Sequence, residues 1–85
     1  MKNELEIKIN LPTLAQLAIG ESAIIQSFTD EEMSLKLMEM GCIPGEKVKI
    51  YRIAPFGDPI AISVAGYRLS LRLAEAATIL ISKKL

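Results

Sequence analysis

A mainly β fold with one inserted helix is predicted by three features of the chain. Short apolar segments alternate with period two, turn residues fall closely between them, and a single stretch carries helix signals at both of its ends. The 85 residues include two tyrosines, two phenylalanines and no tryptophan, so Ile, Leu, Val, Ala and Met must fill the interior. A chain of this length supports one core rather than two.

From Glu4 to Asn10 the residues alternate strictly, with Leu5, Ile7 and Ile9 on one side and Glu6 and Lys8 among those on the other. This predicts a strand within an N-terminal extension over residues 1–12, closed by Pro12. It serves either as an edge over the domain's own core or as an arm that pairs with another chain, which leaves a homo-oligomer open. The domain proper is expected over residues 13–85. Thr13 to Leu17 can make one helical turn with Leu14 and Leu17 inward, and Gly20 permits a reversal into a strand from Ser22 to Phe28.

The helix is expected from Asp30 to about Met40. Thr29 can cap it while Glu32, three residues on, returns a bond to the Thr29 amide, with Phe28 and Met33 as a flanking apolar pair. Met33, Leu37 and Met40 recur at helical spacing. Gly41 stands where a left-handed residue ends a helix, Pro44 blocks continuation, and Cys42 is placed to pack back on Leu37. Pro44-Gly45 fits the centre of a type II turn and starts a strand from Lys47 to Ile53 with Val48 and Ile50 inward. Ile60, Ile62 and Val64 alternate in the next strand. Ala65-Gly66 reverses the chain into Tyr67 to Leu71, making a hairpin. Leu71 to Ala76 suits a short helical turn, and Ala77 to Ile81 a buried final strand. One helix and five strands with short links are most simply buried as a strongly bent sheet closing on itself, a small SH3-like β-barrel.

The chemistry-bearing residues are sparse. Ten basic side chains balance ten acidic ones, so the electrostatic footprint of a nucleic-acid binder is missing and nucleic acid is not an expected partner. Histidine is absent and Cys42 stands alone, which rules out an internal disulfide and the usual zinc and iron ligand sets within one chain. No cofactor or metal site is therefore expected. With no histidine the common nucleophilic triads are excluded. Helix capping explains the acids Asp30, Glu31 and Glu32 better than paired-carboxylate catalysis. No phosphate-binding glycine loop occurs, and the chain is not expected to be an enzyme. The first residues lack the apolar run of a secretory signal, and no segment is long enough to span a bilayer, so a cytoplasmic protein with no direct membrane insertion is expected. Lys47, Lys49, Arg52, Arg68 and Arg72 can gather on one face; a solvated strand exterior is the preferred reading of them.

The segment Pro55, Phe56, Gly57, Asp58 and Pro59 joins two expected strands. Its prolines and glycine restrict the backbone, so it is pre-shaped and loses little entropy on ordering. Asp58 is expected to satisfy amides of its own loop. Phe56 either plugs one end of the barrel or points outward as a docking anchor; plugging is the preferred placement.

Taken in order, Leu14-Ala-Gln-Leu17 with Gly20, Leu37-Met-Glu-Met-Gly41, Ile43-Pro-Gly45, Val48-Lys-Ile50, Pro55-Phe-Gly-Asp-Pro59, Val64-Ala-Gly66 and Leu71-Arg-Leu-Ala-Glu-Ala76 resemble the FeoA family of ferrous iron transport accessory proteins. The resemblance spans residues 14–81. It implies an SH3-like cytoplasmic domain that works with the membrane GTPase-permease FeoB in bacterial Fe(II) uptake, recruited by that partner to the inner face of the membrane. It does not imply iron binding by the domain itself. The same module is fused to some iron-dependent repressors, so a metal-responsive regulatory domain related to their C-terminal domain is the alternative. The segment from Pro55 to Pro59 is the expected partner-binding surface; Thr29, Glu32, Gly41, Pro44, Gly45 and Gly66 are expected to act structurally.

Overall fold

The computed structural model describes residues 11–83; the alternating segment Glu4 to Asn10 lies outside them. Strands β1 (Ser22–Phe28), β2 (Lys47–Ile53), β3 (Ile60–Val64), β4 (Tyr67–Leu71) and β5 (Ile79–Ser82) form one antiparallel sheet in the order β4-β3-β2-β1-β5. A 3₁₀ turn at Leu14–Gln16 precedes β1, helix α1 (Glu31–Glu39) links β1 to β2, and the one-turn helix α2 (Leu73–Ala76) links β4 to β5. The helix thus sits after the first main strand, as the sequence predicts.

Period-two alternation puts Ala23 and Ile25 of β1, Val48 and Ile50 of β2, and Ile60, Ile62 and Val64 of β3 inward. Leu14 and Leu17 from the first turn, Leu37 from α1, Leu71, Ala76, and Ile79 and Ile81 from β5 complete one aliphatic core. No described aromatic residue is fully buried; Phe28 only packs against the core from its margin. The register shifts between Ile25 and Ser27 in β1 and between Ile50 and Arg52 in β2. Such bulges bend a strand and increase its twist, which lets a short sheet curl around a core this small. At the β5 edge, the Ile81 amide donates to Pro12 O at 2.9 Å and Thr13 bridges Leu80, so the entry to the domain runs alongside the last strand.

The turns take the geometry their residues favour. The Cys42 amide donates to Leu37 O at 2.9 Å and the Gly41 amide to Met38 O at 3.0 Å, with Gly41 at φ +106°; together these form a Schellman termination of α1. Cys42 is carried into the core, where burial pushes its thiol pKa up. The Glu46 amide closes the turn through Pro44 and Gly45 onto Ile43 O at 3.0 Å. Ala65 and Gly66 both have positive φ, the arrangement that matches the twist of a two-residue hairpin, here between β3 and β4.

The start of α1 differs from the expectation. Asp30, not Thr29, is the N-cap, its carboxylate accepting from the Met33 amide at 2.9 Å. The Thr29 amide instead donates to Thr78 O at 2.8 Å, so it is not available to the Glu32 side chain. Thr29 thereby prolongs the hydrogen bonding between β1 and the approach to β5, and the helix begins one residue later. Both residues are good caps in isolation; strand pairing selects between them.

Candidate functional site

The loop between β2 and β3 is built from the residues the sequence singles out. The Gly57 amide donates to Ala54 O at 2.7 Å, closing a turn with Pro55 and Phe56 at its centre, and Gly57 takes the φ of +88° that suits glycine. The Ala54 amide donates to Pro59 O at 3.0 Å and shuts the base of the loop. The Asp58–Pro59 peptide is cis.

Asp58 does not satisfy its own loop, contrary to expectation. Its Oδ1 accepts the Leu73 amide at 2.9 Å, the first amide of α2. Helices leave their leading amides without internal partners, so a carboxylate from a loop fifteen residues earlier supplies what α2 lacks. The neighbouring Arg72 amide donates to Glu75 Oε1 at 2.8 Å, and Glu75 Oε2 meets Lys36 Nζ of α1 at 3.2 Å. The Arg72 amide, and then Lys36, hold the Glu75 carboxyl below its ordinary pKa. A chain of polar contacts thus runs from the loop to α2 and on to α1.

Phe56 is 99% exposed. The plugging placement is therefore overturned: the barrel interior is filled by aliphatic side chains, and a phenyl ring at the centre of the turn is directed to solvent. The loop combines a fixed backbone with a fully available aromatic ring. Leu73, whose amide is tied to Asp58, is itself partly exposed beside it. Under the loop lies an open depression of about 300 Å³ lined by residues including Tyr51, Arg52, Pro55, Pro59 and Ser70. It offers no pair of acids and no activated nucleophile. Among the described residues, no three Cys, Asp or Glu side chains converge in a way that would hold a metal ion.

Two features of the surface escape sequence reasoning. The Asp58 bond to Leu73 needs the topology that folds α2 against the loop. The Arg68 guanidinium lies over the Tyr51 ring, 4.7 Å from its centroid, because the β2 bulge at Tyr51 and the β3–β4 register bring the two together. Neither has a local signature. No described helix is long and apolar enough to cross a membrane.

A family model described as FeoA domain matches residues 13–83 of the chain. A Porphyromonas gingivalis protein described as an Fe(2+) transport protein A/Fe(2+) transporter FeoB fusion is 31% identical over 67 residues, which is 78% of this chain but only 8% of that protein. Among solved structures, a FeoA-like protein from Clostridium acetobutylicum superposes with a TM-score of 0.82 at 34% identity, covering 88% of each chain. Stenotrophomonas maltophilia FeoA, solved with zinc and described as a procaryotic SH3 domain protein, gives 0.71 at 28% identity over 82% of this chain and 88% of its own. A manganese-dependent transcriptional repressor shares the fold at a TM-score of 0.77 and 14% identity, over 86% of this chain and 36% of the repressor.

Proposed function

The chain belongs to the FeoA domain family, and from that premise we propose that it is a non-enzymatic cytoplasmic accessory protein of bacterial ferrous iron uptake. It acts by protein–protein contact with the cytosolic part of a FeoB-type membrane transporter. The observation that carries this reading is the Porphyromonas gingivalis relative, in which a segment like this one and a FeoB transporter are one polypeptide. A domain joined to a transporter in one polypeptide is held beside it, and the accessory role needs only a recognition surface.

The loop from Pro55 to Pro59 fits that role. A preformed turn that projects an aromatic ring loses little conformational entropy when a partner covers it. Aromatic anchors seated in a partner's pocket dominate many interfaces. Full covering of one phenylalanine contributes about 1.5–3 kcal/mol. Pro55 and Pro59 stiffen the loop, Gly57 permits its turn, and Asp58 fastens it to α2.

Titration calorimetry of the full chain against the cytosolic domain of a FeoB-type transporter tests the reading. Wild type is expected to bind, Phe56→Ala to bind at least tenfold more weakly, and Asp58→Ala to lose less. Equal binding by all three removes the loop from the interface, and no binding by wild type removes the partner. The regulatory alternative shares its fold with the manganese-dependent repressor, a likeness that at 14% identity concerns architecture alone. Equilibrium dialysis showing one tight Fe(II) or Mn(II) per chain would favour it.

A further inference from the structure

The outer face of β2–β4 carries cations and no acid along the strands. Lys47, Lys49, Arg52 and Arg68 are all exposed on these strands, and no acidic residue lies within any of the three. The nearest acid within the hairpin connections, Asp58, is already committed to the Leu73 amide. The ion pairs among the described residues are Lys36 with Glu75 and Lys83 with Glu21; none of the four cations takes part. Asp30, Glu31, Glu32 and Glu39 stand on or beside α1, while Glu46 and Glu21 stand just before Lys47 and Ser22 at one end of this face, Glu21 already held by the Ala18 amide and Lys83. A net charge of zero therefore hides three neighbouring strands that carry cations and no acid.

The register makes this face a surface rather than scattered charges. Ser22, Lys49, Ser63 and Arg68 stand directly opposite one another across β1, β2, β3 and β4, and Lys47 follows Lys49 on the same side. Arg68, though exposed, has its guanidinium over the Tyr51 ring on the same face. An open depression of about 330 Å³ is lined by Ser22, Lys47, Lys49, Ser63 and the turn at Val64–Gly66. Two ammonium groups and two hydroxyls around a shallow concavity match a phosphate-bearing group. From Lys47 to Arg52 the charges extend about 16 Å along the strand at roughly 3.3 Å per residue, more than one small anion covers.

We infer that this face rests on the anionic phospholipid headgroups of the membrane that holds the transporter, with a headgroup phosphate in the Lys47–Lys49–Ser63 depression. The breadth and openness of the surface favour a layer of headgroups over a single enclosed anion, and the cation-only composition gives the charge complementarity. Contact of this kind needs no inserted segment: basic residues close to an anionic leaflet each contribute a modest attraction that falls off within a Debye length. The choice of a membrane rests on the proposed association with a transporter, but the binding itself does not require the transporter.

The test is co-sedimentation of the full chain with vesicles of phosphatidylcholine alone or mixed with phosphatidylglycerol, at low and physiological salt. Association with the mixed vesicles only, weakened by salt, is expected. Lys49→Gln and Arg68→Gln should each reduce partitioning about fivefold, and the double variant about 25-fold. Both positions are exposed, and circular dichroism checks that the variants fold. Phe56→Ala should partition like wild type, which separates a failure of this proposal from a failure of the docking loop. Three results overturn it: no partitioning of wild type at low salt, partitioning unaffected by the double variant, or loss by that variant of binding to the transporter's cytosolic domain while wild type ignores vesicles. The last would assign the face to an acidic protein surface.

Discussion

At the scale of single residues, Phe56 and Asp58 divide the work of one loop. Phe56 touches solvent almost everywhere, so Phe56→Ala should leave stability within about 0.5 kcal/mol of wild type. Any effect on partner binding would then be an interface effect. Asp58→Ala removes the acceptor of the Leu73 amide and should cost about 1 kcal/mol in urea denaturation. Only Gly57 separates the two residues in sequence, and neither placement is readable there. The prolines and Gly57 show that the segment is a stiff turn. Which way its ring points depends on how full the barrel already is, and Asp58's partner depends on a helix that follows a whole hairpin later. Gly41 and the Pro44-Gly45 pair were legible because their conformations are decided by residues within a few positions.

At the scale of elements, β1 to β4 are legible nearly to the residue, with Ser22–Phe28 and Lys47–Ile53 where alternation puts them, whereas β5 begins at Ile79, two residues after the expected Ala77, because Ala77 ends α2. Alternation reports directly which side chains face the core, and bulges at Gln26 and Tyr51 disturb it only locally. The N-terminus of α1 was misplaced by one residue because two adjacent capping residues compete and a long-range pairing decides. The structure makes the discrimination measurable: Asp30→Ala should cost about 1 kcal/mol, Thr29→Ala well under half of that. Helix α2 gives a pH prediction. The pKa of Glu75 in the folded protein lies below the ordinary 4.5, held there chiefly by the Arg72 amide and then by Lys36. Its stabilisation is therefore fully present above pH 4.5 and lost as pH falls through the lower folded value. Glu75→Gln should be less stable than wild type at neutral pH, and the two denaturation midpoints should converge in acid.

At the scale of the whole molecule, an aliphatic core wrapped by one bent sheet leaves three chemically distinct surfaces outside it. These are a rigid loop with a bare aromatic ring, an acidic helix, and a cationic sheet face. Composition alone concealed the last, since balanced totals say nothing of where charges stand once strands are registered. Composition does disclose which side chains the domain has to work with: no histidine, a single cysteine, and equal numbers of acidic and basic residues. The vesicle experiment addresses the charged face, and its outcome bears on where the domain sits. The central claim is that the domain works by presenting a preformed loop to a transporter. Calorimetric titration of the full chain into the cytosolic domain of a FeoB-type transporter, wild type beside Phe56→Ala, tests it most directly. The account predicts saturable binding that weakens at least tenfold when the ring is removed; saturable binding with identical affinities for the two proteins would contradict it.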